Sequence, residues 1–301
     1  MADWRKDIGD ALAGAAAAVR RDEPLARHTT FRIGGPAEAW VEAMDEAALR
    51  AVLAFCREQD VDLTLLGRGS NVLVSDQGIP GVVLVLAGRF EAVRVEGDRV
   101  VAGGAALLDS IAAMAEQAGL AGAEFLAGIP GTLGGGFRTN AGAFGRSLSD
   151  VIVAAKVVDC SGRERTLTGD ELAAGYRRPL AGQDVIVVEA ELGLGFGPGE
   201  PCAAVRERRW DKQPTDPSAG SFFRNPPGDH AGRLIEACGL KGRRVGDAMV
   251  SEKHANFLVN TGLARCADVL ELAQQVKALV EEQSGIELEE EVQILPRERR
   301  R

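Results

Sequence analysis

The spacing of apolar residues in the first half of the chain predicts helices alternating with strands. The segment DEAALRAVLAFCREQD places four apolar side chains on one helical face, namely Leu49, Val52, Leu53 and Cys56. Asp45 stands at its start, where an N-cap is expected. The short apolar run VDLTLLG follows. The pattern therefore predicts a helix that leads into a strand.

The same analysis extends to the rest of the chain. Strands are predicted at GVVLVLAG and DVIVVEAELGLGFG, a hairpin at FEAVRVEGDRVVAGG, and two strands around a Ser-Gly turn at DVIVAAKVVDCSGRERTL. Helices are predicted at GDALAGAAAAV, AAVRERRWD, HAGRLIEACG, CADVLELAQQVKALVEEQSG and ALLDSIAAMAEQAGL, the last ending at Gly119. ANFLVN and the acidic segment IELEEEVQIL complete the predicted strands. The linker candidate GLGFGPGEP places a domain boundary near Gly199.

Composition narrows the class of protein. The 301 residues are 46% hydrophobic and 26% charged, which predicts a folded chain. Lys and Arg number 35 against 44 Asp and Glu, so the net charge of −9 argues against nucleic-acid binding. Five cysteines without a CxxC pair indicate neither a disulfide framework nor a metal site. No apolar run is long enough to span a bilayer. We expect a cytoplasmic protein without membrane insertion.

Glycines are concentrated in the segment GIPGTLGGGFRTNAGAFG. Seven fall between residues 128 and 145: Gly128, Gly131, Gly134, Gly135, Gly136, Gly142 and Gly145. No Gly-Lys-Ser/Thr follows, and the spacing departs from GxGxxG, so neither common nucleotide motif is present. Two explanations stay open for such a segment. It forms tight turns packed against a sheet, or its backbone lies against a ligand.

A second glycine loop favours a ligand. The strand in LLGRGSNVLVSD leads into Gly67, Arg68, Gly69, Ser70 and Asn71, whose successive N–H groups suit an anion. Two such loops at strand ends would together hold a long diphosphate ligand.

Six motifs in this order resemble the UDP-N-acetylenolpyruvoylglucosamine reductases over nearly the whole chain: HTTFRIGGPAEAW, LGRGSNVLVSD, GIPGTLGGGFRTNAGAFG, GSFFRNP, VSEKHANFLVN and LEEEVQIL. The resemblance implies an α+β protein with a two-subdomain FAD-binding fold of the vanillyl-alcohol-oxidase (PCMH-like) type and a C-terminal α+β substrate-binding domain. The FAD-binding domain would span residues 1–199, with subdomains of about 1–65 and 66–199. The substrate-binding domain would span 200–301, with its last strand returning to the FAD domain.

The resemblance also implies a non-covalent FAD, because neither His nor Cys stands in the first glycine loop. The implied FAD-binding residues are Thr30, Arg32, Gly67, Gly69, Ser70, Asn71, Gly128, Ile129, Pro130, Gly131, Asn140, Ala141, Gly142 and Arg224. Two positions depart from the family pattern: Thr139, where Met is more frequent, and Pro179, where Ser is usual.

The implied reaction takes hydride from NADPH and delivers it to the β-carbon of an enolpyruvyl ether. Charge then develops on the substrate carboxylate, which needs donors or positive charge, and the α-carbon needs a proton. The family positions are Arg177 for the carboxylate, Ser221 as proton donor, and Glu291 beside the carboxylate. Without the resemblance, these three would be interpreted as surface, turn and solvated acidic residues.

The substrate would be a UDP-sugar of peptidoglycan precursor synthesis, and the implied contacts are Tyr176, Asn225, Lys253 and Asn256. Arg206, Arg209 and Lys212 either meet its diphosphate or form a solvated helix face. His254 is interpreted as a packed or capping residue. We expect a monomer. The alternatives are an FAD-dependent oxidase of the same fold and a flavin- or sugar-nucleotide-binding module without turnover, and neither needs the Arg177, Ser221 and Glu291 set.

Overall fold

The computed structural model describes residues 4–172 and 185–296. Its α-helices are α1 (Trp4–Ala11), α2 (Glu46–Glu58), α3 (Leu108–Gln117), α4 (Leu133–Thr139), α5 (Cys202–Lys212), α6 (Ala231–Ala237) and α7 (Cys266–Ser284). The first strands are β1 (Ala17–Pro24), β2 (Pro36–Ala43), β3 (Leu63–Leu65), β4 (Val72–Val74), β5 (Ile79–Leu86), β6 (Val93–Glu96), β7 (Arg99–Gly103), β8 (Leu120–Ala121), β9 (Gly142–Ala143) and β10 (Arg146–Ser147). They are followed by β11 (Ile152–Asp159), β12 (Glu164–Thr168), β13 (Val185–Gly193), β14 (Gly195–Phe196), β15 (Ser218–Ser221), β16 (Arg244–Val245), β17 (Ala248–Val250), β18 (Phe257–Asn260) and β19 (Gln293–Leu295).

The described residues form two compact units. The first comprises residues up to Arg21, together with Ala39–Arg68 and Gly81–Arg208. The second comprises Asp22–Glu38, Gly69–Pro80 and the residues from Arg209 on. This division differs from the predicted boundary near Gly199, because Phe31, Ile33 and Leu73 pack in one apolar core with residues of α6 and α7. The functional roles of the predicted domains stay predictions.

The first unit contains a five-stranded sheet with the order β12-β11-β13-β7-β6. The predicted hairpin is its edge, where β6 and β7 are antiparallel and Glu96 is opposite Arg99. Apolar residues of α3 and α4 pack with this sheet, among them Ile111, Leu133 and Phe137. This core fixes the backbone on both sides of α4, and therefore the shape of the second glycine segment.

A four-stranded sheet has the order β1-β2-β5-β3. The predicted helix α2 packs with it, and its apolar face is buried as expected, since Leu49 and Val52 are fully buried. Asp45 caps the helix by accepting a 2.8 Å hydrogen bond from the N–H of Ala48. The capped helix and the strand β3 after it are thus confirmed.

The second unit contains a sheet with the order β15-β18-β17-β16. A separate parallel pair joins β19 to β4, so that Ile294 is opposite Leu73. The last strand therefore returns to the N-terminal half of the sequence. Helix α7 contributes Val269, Leu272 and Val276 to the core of this unit.

Two predicted elements were wrong. The segment GDALAGAAAAV is not one helix: α1 ends at Ala11, Gly14 has a φ of +88°, and β1 begins at Ala17. A left-handed residue stops a helix, and strand pairing in the sheet replaces the local alanine preference. The final strand is shorter than IELEEEVQIL and begins only at Gln293. No strand was predicted at β2, whose buried and exposed positions alternate only in part.

Within residues 4–172 and 185–296, no helix has both the length and the apolarity that a membrane span requires. No group of three or more His, Cys, Asp or Glu side chains in that part of the chain is arranged to hold a metal ion.

Candidate functional site

The first glycine loop presents a row of backbone donors. It connects β3 to β4, and Gly69 has a φ of +63°. Across the described residues, the five N–H groups from Gly67 to Asn71 have no hydrogen-bond acceptor. Consecutive N–H groups around a left-handed residue form a concave site for an anion. The loop is therefore suited to a phosphate group, and Arg68 is exposed beside it.

Close packing in the second unit keeps Gly69 free of a side chain. A Cβ there would lie 2.3 Å from the carbonyl oxygen of His28. Thr30 also fixes Gly69, because the N–H of Thr30 donates to the Gly69 carbonyl at 3.2 Å. Its hydroxyl donates to the carbonyl of Ser218 at 2.7 Å. Thr30 therefore shapes the loop, whereas Arg32 is exposed with a φ of +56°.

The second glycine segment is partly helical. Thr132 is the N-cap of α4, and its Oγ1 accepts a 3.3 Å hydrogen bond from the N–H of Gly135. The prediction that this segment follows a strand was wrong, since a short 3-10 helix, Glu124–Leu126, precedes it. A Cβ on Gly67 would lie 2.7 Å from Thr132 Oγ1. The structure thus brings the start of the first loop against the start of α4.

Several glycines of the second segment lie close to other atoms of the protein, and at Gly142 the nearest atom belongs to the backbone. A Cβ would lie 2.7 Å from Leu148 Cδ1 at Gly136, 2.2 Å from the Arg146 carbonyl oxygen at Gly142, and 3.1 Å from the Gly104 carbonyl oxygen at Gly134. Tight turns and close packing therefore account for part of the glycine content. The sequence alone left this explanation open.

The N–H groups at the start of the second segment are occupied. Gly128 donates to Asp109 Oδ1 at 2.7 Å, Ile129 to the Leu126 carbonyl at 3.1 Å, and Gly131 to the Ile129 carbonyl at 2.9 Å. The two loops therefore differ: the first offers free donors, and the second offers a rigid backbone. Asp109 was not identified from the sequence, although an acidic residue in the first turn of α3 was a visible signal.

Asn140, Ala141 and Gly142 follow α4 in a fixed conformation. Asn140 is left-handed, with a φ of 46°, and is buried. Its side chain donates to Ser149 Oγ at 3.1 Å and accepts from the Ser149 N–H at 3.0 Å. Thr139, the departure from the family pattern, lies at the end of α4 with its hydroxyl 3.5 Å from the Gly135 carbonyl oxygen. This segment is preorganised before any ligand binds.

Ser221 lies at the end of β15 in the second unit. Gly220 before it has a φ of +80°, and the pairing of β15 with β18 shifts register between Ser218 and Ser221. The Ser221 side chain is half-buried, and its hydroxyl has no hydrogen-bond partner in the part of the chain that the structure describes. A serine hydroxyl held at an irregular strand end is available to a ligand.

The acidic segment runs beside Ser221. The N–H of Glu291 donates to the Phe222 carbonyl at 2.8 Å, and the N–H of Arg224 donates to the Glu289 carbonyl at 2.8 Å. The structure therefore brings Ser221 and Glu291 close together. The carbonyl of Glu291 also accepts a 3.3 Å hydrogen bond from Asn71 Nδ2.

The three neighbouring glutamates have different surroundings. Glu289 is exposed, with an oxygen 3.7 Å from Arg224 Nη1. Glu290 is half-buried and pairs with Lys277 Nζ at 3.1 Å. Glu291 is also half-buried. None of the three glutamates lies in strand β19, which begins at Gln293, and Glu290 forms an isolated bridge with Phe223.

The remaining candidates have partners inside the second unit. Asn225 Oδ1 accepts a 3.1 Å hydrogen bond from the N–H of Ala231 at the start of α6. Lys253 Nζ donates to the carbonyl of Trp210. Asn256 is buried, and both polar atoms of its side chain bind the main chain of Phe223. Tyr176, Arg177, Arg178 and Pro179 lie outside the described residues.

Arg206 has a partner in the first unit. Its Nε lies 2.8 Å from Asp109 Oδ1, and this hydrogen bond raises the pKa of the Arg206 guanidinium. His254 packs edge-on against Phe257, with ring centroids 4.9 Å apart. Its Nδ1 accepts from the N–H of Asn256 at 3.2 Å. The packed role predicted for His254 agrees with these contacts.

Comparisons with known proteins place the chain in a family. Residues 37–168 match the model of an FAD binding domain. Residues 213–295 match the C-terminal domain of UDP-N-acetylenolpyruvoylglucosamine reductase. The two matches lie on the segments that carry the glycine loops and the Ser221 and Glu291 pair, respectively.

Similar proteins cover nearly the whole chain. UDP-N-acetylenolpyruvoylglucosamine reductase 2 of Symbiobacterium thermophilum is 46% identical over 284 residues, 92% of each chain. The reductase of Paramagnetospirillum magneticum is 43% identical over 297 residues, covering 96% of this chain and 94% of the relative. The crystal structure of the Thermus caldophilus enzyme superposes with a TM-score of 0.81 at 37% identity, covering 93% of this chain and all of that one.

These matches confirm the predicted α+β fold with an FAD-binding domain and a C-terminal domain. They also confirm the predicted oxidoreductase class. With more than 40% identity over more than nine-tenths of its length, the chain belongs to the family of UDP-N-acetylenolpyruvoylglucosamine reductases.

Proposed function

We propose that this protein reduces the enolpyruvyl ether of UDP-N-acetylglucosamine to UDP-N-acetylmuramate, with NADPH as the hydride source and FAD bound non-covalently. The names of its relatives and the FAD binding domain match support this function. The observation that carries it is the hydrogen bond from the N–H of Glu291 to the carbonyl of Phe222, the residue that follows Ser221. The Ser221 hydroxyl has no hydrogen-bond partner among the described residues. An oxidase or a binding module has no need of that arrangement.

The backbone of the first glycine loop would hold the FAD diphosphate through the N–H groups of Gly67, Gly69, Ser70 and Asn71. Their lack of acceptors in the described structure supports this role. Gly128 to Gly131 would line the diphosphate with main chain, and Asn140 to Gly142 would lie along the flavin. Thr30 would act by fixing Gly69, and Arg32 and Arg224 would contribute from exposed positions. Bound FAD would supply the two-electron hydride chemistry.

Ser221 would give a proton to the α-carbon of the substrate. A serine hydroxyl is a weak acid, so it acts only on a strongly basic carbon and when held in place. The register shift of β15 and the left-handed Gly220 hold it. Because its hydroxyl has no acceptor in the described part of the chain, it is free to donate to a ligand.

Glu291 would lie beside the substrate carboxylate. Two carboxylates approach each other only when a proton is shared, so Glu291 would be protonated there and would act as an acid, not as a repelling charge. Its neighbour Glu290 forms an ion pair with Lys277 Nζ at 3.1 Å. Arg177 would bind the same carboxylate, since a guanidinium presents two parallel donors.

The UDP-sugar would be bound by Tyr176, Asn225 and Lys253. Asn256, the fourth contact that the resemblance implies, is buried, and its side chain binds the main chain of Phe223. Asn225 already accepts from Ala231, so its Nδ2 is the atom that would face the ligand. The cellular setting that follows from this reaction is peptidoglycan precursor synthesis in the cytoplasm, with consequences for cell shape and division. We propose a monomer.

The test measures the two half-reactions separately by anaerobic stopped-flow absorbance of the flavin. We expect NADPH to bleach the flavin, and the enolpyruvyl UDP-sugar to restore its absorbance. Ser221→Ala should keep the first rate and slow the second by about 10²-fold or more, as for loss of a positioned acid. Ser221→Cys should recover part of it. Equal slowing of both phases would make Ser221 structural. A flavin that does not respond to NADPH, but that an alcohol reduces and O₂ reoxidises, would favour an oxidase.

A further inference from the structure

Asn256 forms three hydrogen bonds with Phe222 and Phe223, the two residues that follow Ser221. Its main-chain carbonyl accepts from the N–H of Phe222 at 2.7 Å. Its side-chain Oδ1 accepts from the N–H of Phe223 at 2.9 Å, and its Nδ2 donates to the Phe223 carbonyl at 2.8 Å. Asn256 is only 3% exposed, and the two phenylalanines are 1% exposed each. Its side chain thus behaves as a piece of strand backbone.

The strand geometry explains why an amide is needed. The ladder between β15 and β18 ends where Ser221 is opposite Phe257. Beyond that point, the backbone groups of Phe223 are buried and need partners, since an unsatisfied buried donor or acceptor is costly. An asparagine side chain carries one acceptor and one donor at a spacing that fits both. Aspartate lacks the donor.

Phe222 and Phe223 are bound on their other edge by Glu290 and Glu291 of the acidic segment. Phe222 accepts from the N–H of Glu291 at 2.8 Å, and Phe223 forms a bridge with Glu290. Phe222 and Phe223 are therefore fixed between Asn256 and the glutamates. Any shift of these two residues moves Ser221, which precedes them, relative to Glu291.

We infer that Asn256 is a positioning residue that sets the separation of Ser221 and Glu291, rather than a substrate ligand. The inference rests on the proposed function, in which Ser221 gives the proton. Both polar atoms of the Asn256 side chain are hydrogen-bonded to Phe223, and the residue is only 3% exposed, so little of its side chain is accessible to a substrate. Positioning matters here because small misplacements of a catalytic group reduce rates strongly.

The test compares two isosteric changes at the two ends of β18: Asn256 immediately precedes this strand, and Asn260 is its last residue. Asn256→Asp keeps the acceptor for the Phe223 N–H but puts an oxygen against the Phe223 carbonyl. Asn260→Asp is the matched control: Asn260 is also buried, at 4% exposure, and its Nδ2 donates to the Phe31 carbonyl at 3.2 Å, away from Ser221. Both variants are studied at a temperature well below their melting points, with circular dichroism verifying the fold.

We expect Asn256→Asp to slow reoxidation by the enolpyruvyl substrate by about tenfold or more and to leave reduction by NADPH within about twofold. Asn260→Asp should leave both phases near the unmodified rates, even if it melts earlier. Equal behaviour of the two variants would overturn the inference. If Asn256→Asp does not fold, Asn256→Ser, which retains one hydrogen-bonding group, is measured in the same way.

A double variant separates this inference from the proposed function. If Asn256 acts through Ser221, adding Asn256→Asp to Ser221→Ala should slow reoxidation by less than about twofold further. If Asn256→Asp slowed reoxidation of the Ser221→Ala protein as much as it slows that of the unmodified protein, Asn256 would act elsewhere and the inference would be overturned. The proposed function fails independently, if the unmodified protein shows no substrate-dependent reoxidation or if Ser221→Ala alone has no effect.

Discussion

One oxygen of Asp109 binds both Arg206 and Gly128: Oδ1 lies 2.8 Å from Arg206 Nε and 2.7 Å from the backbone nitrogen of Gly128. The second oxygen, Oδ2, lies 3.2 Å from Arg206 Nη2. Gly128 has a φ of +74°, so its peptide adopts an orientation that most residues avoid. Asp109 thereby fixes the start of the second glycine segment against helix α5.

Asp109→Ala should weaken FAD binding by about tenfold, since hydrogen bonds to a charged group contribute about 1.5–3 kcal/mol. Asp109→Asn, which keeps an acceptor for Gly128, should lie between that variant and the unmodified protein. Affinity is measured by fluorescence as FAD is added to apoprotein. Glu191→Gln serves as control, because it breaks a pair with Arg99 on the five-stranded sheet. An Asp109→Ala affinity within about twofold of the original would remove Asp109 from cofactor binding.

Gly69→Ala should prevent FAD from being retained. The added Cβ would lie 2.3 Å from the carbonyl oxygen of His28, so the loop must shift, and the donor row from Gly67 to Asn71 shifts with it. Gly97→Ala is a close control, since Gly97 has a φ of +64°, against +63° at Gly69, and open space around it. Both changes carry backbone strain of about 1–2 kcal/mol.

The contrast between the two glycine variants is read as the flavin-to-protein absorbance ratio after gel filtration, together with the melting temperature. Gly97→Ala should melt earlier and keep its yellow colour. Comparable flavin loss from both variants would mean that strain alone, and not the shape of the first loop, controls retention.

The flavin should be non-covalent. Neither His nor Cys is present from Gly67 to Asn71, and burial raises the pKa of the Cys56, Cys202 and Cys266 thiols to about 11, which makes them poor nucleophiles. Acid precipitation should release all of the yellow colour into the supernatant. Colour that stays in the pellet, or a colourless protein that FAD cannot reconstitute, contradicts this prediction.

The sequence predicted regular elements best where one local signal decided the structure. Helix α2 combines a side-chain cap at Asp45 with an apolar stripe, and the hairpin of β6 and β7 turns at Gly97, so both could be placed from their own residues. The N-terminal alanines could not, because pairing in a sheet decides the conformation of β1 and no local pattern reveals it.

The candidate site was predictable only in part for the same reason. Motif resemblance selected Ser221 and Glu291, and the hydrogen bond between Phe222 and Glu291 brings them close together. The partners that hold them lie far away in sequence: Asn256 is 33 residues from Phe223, and Asn71 is 220 residues from Glu291. Such contacts have no periodicity, and a sequence without the fold does not show them.

Protonation of His254 should destabilise the folded protein. Burial lowers the pKa of His254 in the folded state, with the nearby Lys241 acting in the same direction and Glu236 and a backbone hydrogen bond opposing it. The unfolded histidine has a pKa of about 6.5. Between these two values the unfolded chain binds more protons, so the free energy of unfolding falls as the pH drops below about 6.5.

His254→Gln should therefore lose less stability than the unmodified protein when the pH is lowered through this range. Urea unfolding followed by fluorescence at several pH values measures the slope. His230→Gln, at an exposed position before α6, is the control and should keep the original slope. Parallel curves for all three proteins would show that His254 does not contribute to acid sensitivity.

Glu291→Gln should lower kcat more than it raises KM. The carboxyl group is proposed to act on charge that develops at the substrate carboxylate only in the transition state, and such an interaction affects turnover rather than binding. Loss of a positioned acid or base typically lowers the rate by about 10²- to 10⁴-fold.

Glu290→Gln is the matched control, one residue away, because its carboxylate pairs with Lys277 at 3.1 Å. Steady-state rates of NADPH oxidation across substrate concentrations give both constants. If Glu291→Gln raised KM at unchanged kcat, or if Glu290→Gln had the larger effect on turnover, the role given to Glu291 would be wrong.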